Sequence, residues 1–169
     1  MKNNPSQVTL AAPKVRIVII LAGMLVVVAA TVGISIFLVP FSGEVASWEN
    51  YAYIAFMRYP VLILCESLLL LFLTACILSI PLLIRIYKGK SFSTESVRLL
   101  KMMAWCFFVM ILPLIALIVY TNQHVGGSIT NLYCVFGIGL AFLAANVFGL
   151  FATLIEKASQ FEQEVNLTI

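Results

Sequence analysis

Aspartate is absent from the 169 residues, histidine occurs once, and charged side chains make up only 10% of the chain. These shortages exclude much chemistry. Paired general acid–base carboxylates, multi-histidine metal sites and Ser-His-Asp arrangements all draw on residues that are scarce here. No H-E-x-x-H, nucleophile elbow or phosphate-binding loop occurs. His124, even taken with Glu44 and Glu49, matches no zinc-ligand spacing. The four cysteines form no C-x-x-C pair. Cys65 and Cys76 would lie about 16 Å apart along one helix, too far for a disulfide. With Cys106 and Cys134 they read as small apolar packing residues. The longest stretch between apolar runs is about twenty residues, too short for a separate folded module. We expect no catalysis, no cofactor, no metal and no direct contact with nucleic acid.

Hydrophobic residues are abundant instead, at 63%, with a mean hydropathy of +1.10. A soluble domain sits near ~45–50%. Four apolar runs, over residues 17–39, 61–84, 102–120 and 132–154, each supply about 30 Å of helix, enough to cross a bilayer. The first is too long for a signal-peptide core of about 7–15 residues and reads as a retained helix. The expected fold is all-α, a single membrane domain over residues 1–169 built as a bundle of four transmembrane helices. Pro40 follows the first run, and Pro60 falls in a first turn, where its missing N–H costs nothing. Pro113 removes the amide that would bond the Val109 carbonyl, so a kink is expected there, and another at Pro81.

Nine of the ten basic residues fall on one side of this threading. Lys2, Lys14 and Arg16 precede the first helix. Arg85, Lys88, Lys90, Arg98 and Lys101 separate the second from the third, and Lys157 follows the fourth. Only Arg58 lies opposite. The positive-inside rule then makes both termini and the central loop cytoplasmic, as an even number of spans requires. Trp48, Tyr51, Tyr53, Tyr59, Tyr120 and Tyr133 on one side, with Tyr87 and Trp105 on the other, form the expected interfacial belts.

Ser93 has the chemistry of an N-cap for the third helix, and Glu95 complements the positive end of its dipole. Arg98 and Lys101, three residues apart, can snorkel toward lipid phosphates. In the fourth helix Gly137, Ala141, Ala145 and Gly149 recur every four residues, a small-residue stripe that lets helix backbones approach. Packing within the bundle and a homo-oligomer interface are both open, with Ala29 and Gly33 as a matching pair on the first helix.

Glu66 is the one ionisable side chain inside an apolar run, which by default marks a functional site with a partner. It sits about 8 Å below the boundary, where it can reach the interface, meet Arg58 or be protonated. Asn146 is expected to hydrogen-bond a neighbouring helix. On the cytoplasmic side, Glu156, Glu162 and Glu164 of the tail face five basic residues of the central loop. Docking between them would be salt-sensitive, and anionic lipid competes for the same cations.

The stretch Gly89-Lys90-Ser91-Phe92-Ser93-Thr94-Glu95-Ser96-Val97-Arg98-Leu99-Leu100-Lys101 and the terminus Glu164-Val165-Asn166-Leu167-Thr168-Ile169 carry a resemblance. With four spans and this topology, they resemble the bacterial membrane family called domain of unknown function 2975, over nearly the whole chain. In that family Asn is commoner where Ser96 stands, and the tail more often reads Glu-Asn-Asp-Leu-Thr-Ile. The resemblance implies a bacterial inner-membrane protein without known catalysis, often encoded beside a short helix-turn-helix regulator. It thereby implies a cytoplasmic protein partner. Phe92, Glu95, Arg98, Lys101, Leu167 and Ile169 are the candidate contacts for it. The alternative is a small oligomeric transporter or channel subunit using Glu66. Aligning the first helix pair with the second sets Gly137 opposite Glu66, which disfavours an inverted repeat.

Overall fold

Every apolar run becomes helix, because a segment in hydrocarbon must satisfy its backbone polar groups internally. The computed structural model describes the backbone of residues 5–48, 55–88, 93–125 and 128–167, with side chains at Val15 and, within those segments, at residues 17–160. The elements are α1 (Pro5–Ser47), α2 (Arg58–Tyr87), α3 (Thr94–Val109), α4 (Ile111–His124) and α5 (Ile129–Leu167). They supply four helical stretches long and apolar enough to cross a membrane, α3 and α4 together making the third. This is the architecture of a multi-pass membrane protein.

The prolines act differently from one another. The third stretch breaks at Met110, whose amide still bonds the Cys106 carbonyl at 3.1 Å. The break lies within one turn of Pro113, as the missing amide predicts. Pro81 does not interrupt α2, and Pro40 does not end α1, which continues to Ser47. Pro60 sits in the first turn of α2, at a position with no intrahelical acceptor for an N–H.

The helices are ordered in space as in the chain. α1 packs on α2, α2 on α3 and α4, and these two on α5. The bundle is therefore open, and α1 has α2 as its one substantial neighbour. Its outer face is bare: Val26 is 68% and Ile36 71% exposed. Such faces suit contact with lipid. The densest packing joins Val97 and Leu100 of α3 to Ala152 of α5, which has no exposed surface. Phe107 and Phe148 stack across the same α3–α5 seam with centroids 5.5 Å apart.

The seam on α5 takes in part of the small-residue stripe. Its buried positions are Cys134, Ala141, Ala145 and Ala152, spaced seven, four and seven apart. Ala141 and Ala145 thus pack inside the chain. Gly137 lies at the edge, where a Cβ would meet Leu114 at 3.5 Å, and Gly149 faces open space. The reason is geometric. A four-residue step overshoots one turn by about 40°, so a strict four-residue stripe winds off a seam that follows alternating three- and four-residue steps.

Candidate functional site

Polar chemistry collects in three places. At the end carrying the α2–α3 connection, Ser93 is extended and its hydroxyl accepts from the Ser96 amide at 3.3 Å. The N-cap forms as its side-chain chemistry predicts. The Ser96 hydroxyl, buried completely, pairs with that of Ser93 at 2.9 Å. Arg85 donates to Ser93 at 3.4 Å and forms an ion pair with Glu95. One turn further on, Lys101 reaches across to Glu156 of α5 at 2.8 Å. Charges from the α2–α3 connection and from α5 do meet, although both members of this second pair are about half exposed.

Of the six candidate contact residues, Glu95 and Lys101 are thus engaged within the chain. Arg98 is exposed on α3. Lys88 and Lys157 are exposed at the same end, and none of the three has a carboxylate partner among the described residues. Phe92 and Ile169 lie outside the described residues. Leu167 is the last residue of α5, and its side chain lies outside them.

The second place is the α1–α2 interface. Glu66 accepts a hydrogen bond from Ser35 of α1 through Oε2, while its buried Oε1 has no partner among the described residues. The two residues line a groove of about 200 Å³ together with Thr31 and Leu69. Of the alternatives open to Glu66, the contact with Arg58 does not form, because Arg58 turns toward α1 and donates from Nε to Ser42 at 3.2 Å. Asn146 departs from expectation. Its amide donates back to Phe142 of its own helix at 2.7 Å, and the side chain is exposed. Facing outward, it satisfies its donor locally, as an i−4 acceptor allows.

The third place had no signal in the sequence beyond the isolation of Arg58. At the end opposite the ion pairs, α1, α2, α4 and the start of α5 line an open cavity of about 360 Å³, walled by Leu38, Phe41, Val45, Val61, Leu62 and Leu117. Its boundary carries Arg58, Ser42 and Thr121. Nearby, His124 bonds the Tyr120 carbonyl at 2.9 Å and meets Phe56 edge-on. No group of three metal-ligating side chains occurs among the described residues.

A family model described as a protein of unknown function, DUF2975, matches residues 44–169. The chain belongs to this family. The match begins at Glu44 in the last turn of α1, so it covers less than the sequence resemblance suggests and leaves nearly all of α1 outside. The family region holds α2 to α5, with the Ser93 cap, both ion pairs and Arg58. Ser35, and Leu38, Phe41 and Ser42 of the α1 wall of the cavity, fall outside it. No curated protein and no solved structure matches the chain.

Proposed function

We propose that this family member is a non-enzymatic protein of a bacterial inner membrane, with both termini and the α2–α3 connection in the cytoplasm. It acts through protein contacts, holding a small helix-turn-helix regulator at its charged end. The observation that supports this reading is the set of cations without a carboxylate partner among the described residues, Lys88, Arg98 and Lys157, around a corner that carries two ion pairs. Ordered charges on a rigid frame steer and orient an acidic partner. α5 also extends to Leu167, about 20 Å beyond the apolar run ending at Leu154. A photo-crosslinker at Thr94 in native membranes should capture a helix-turn-helix protein. Arg98→Glu with Lys157→Glu should abolish capture at an unchanged membrane level. Crosslinked membranes that yield no such regulator overturn the reading.

A second reading, a transporter or channel subunit, is favoured by Oε1 of Glu66, without a partner among the described residues, beside the α1–α2 groove. Glu66→Gln keeps the shape and removes the charge. In proteoliposomes carrying an internal pH dye, this reading expects proton flux in the parent protein and none in the variant. Equal flux from both eliminates it.

A further inference from the structure

Among the described residues Arg58 is the one lysine or arginine at its end of the molecule, and its surroundings are unusual for an interfacial anchor. A snorkelling arginine normally directs its guanidinium toward water or lipid phosphates. Here the side chain is half-buried, folds back against α1 and contributes to the cavity wall. Nε is held by Ser42, and the guanidinium carbon lies 5.3 Å from the Tyr59 ring centroid. Gly43 makes this placement possible, since a Cβ there would stand 2.9 Å from Nη2. With Nε engaged, the two terminal nitrogens remain as an end-on fork. No carboxylate among the described residues pairs with them. Such a fork matches a carboxylate bidentately.

The cavity beside this fork is apolar, built from leucine, valine and phenylalanine side chains. At about 360 Å³ it lies near the lower end of small-molecule pockets, ~300–1,000 Å³. That volume matches one alkyl chain. A purely apolar occupant would leave the guanidinium desolvated and unpaired, which is costly. A small anion would leave the apolar walls empty. We propose that the cavity binds a long-chain carboxylate, a fatty acid, with its chain among Leu38, Phe41 and Leu117 and its carboxylate on the Arg58 fork. Ser42 and Gly43 are positioning residues that hold the guanidinium at the mouth.

The test is native mass spectrometry of the full chain in mild detergent, titrated with palmitate and with hexadecanol, which has the same chain without the charge. Palmitate should be retained in preference to hexadecanol. Arg58→Gln should weaken palmitate retention by about tenfold or more, the effect expected when charge-assisted hydrogen bonds are lost, and leave hexadecanol unaffected. Ala46→Phe, which places a ring toward the cavity, should weaken both. Arg58→Lys keeps the charge and should retain part of the palmitate binding, and melting temperature in the same detergent confirms that each variant is folded. Equal retention of the two probes by the parent protein would overturn the proposal, as would palmitate binding that survives Arg58→Gln. Tighter retention of lysophosphatidylglycerol than of palmitate would also overturn it, making the occupant a membrane phospholipid.

Discussion

The Ser93–Ser96 corner and the Arg58 cavity lie at opposite ends of the same helices and are built in opposite ways. At the corner, Arg85 and Lys101 each find a carboxylate, and Ser96 and Ala152 are wholly buried. At the cavity the Arg58 guanidinium meets a hydroxyl, a ring and Gly43 with no carboxylate partner among the described residues, and the helices leave about 360 Å³ beside it. Side-chain size accounts for part of the contrast. The corner sets small residues, Ser96 and Ala152, where helices approach, so backbones come close and charges near them fall within reach. A tightly packed end suits a platform that presents charges to a partner, and a loosely packed end with a cation beside an apolar cavity suits a ligand.

The largest test of this contrast enlarges one alanine at each end. Ala152→Phe should overpack the α3–α5 core and cost about 1–3 kcal/mol, read as a lower melting temperature in detergent. Ala46→Phe, beside the cavity, should change the melting temperature far less. Equal losses would mean that the two ends are packed alike. A smaller effect is expected from Ser93→Ala, which removes the cap of α3 at ~0.5–2 kcal/mol. The matching change at the other end, Ser42→Ala, removes the Arg58 Nε acceptor and an exposed bond to the Val39 carbonyl, and should cost less, as measured by the SDS midpoint of unfolding. The smallest effect belongs to the Lys101–Glu156 pair. A double-mutant cycle to alanine should give a coupling of ~0.2–1 kcal/mol, because both groups are well exposed. That coupling should fade between low salt and about 1 M salt. A salt-independent coupling would place the pair in a drier setting than its exposure indicates.

Much of this molecule was legible before its structure. The four spans follow from run length, and the Ser93 cap from side-chain chemistry beside a helix start. The Pro113 break follows from a missing amide. Ala141 and Ala145 are buried within the chain whereas Gly149 faces open space, because residue spacing identifies a face only to within the drift between four-residue steps and the helical repeat. Glu66 was singled out by its charge, but its partner Ser35 lies 31 positions away on another helix. Asn146 was expected to bond across helices and instead bonds Phe142. Sequence separation carries no information about which such contacts form.

The sequence by itself thus determined the number of spans, their segregation of charge and the local start of α3, since each depends on neighbours within a turn or on bulk hydropathy. Tertiary structure alone decided the open order of the helices, the ion pairs at one end and the turning of Arg58 toward Ser42. These depend on each helix's rotation about its axis and on its offset along its neighbour. Lipid-facing and buried positions on such helices are both apolar, so hydropathy does not distinguish them. Only packing of one surface on another sets that rotation, and with it whether a lone arginine faces lipid or a cavity.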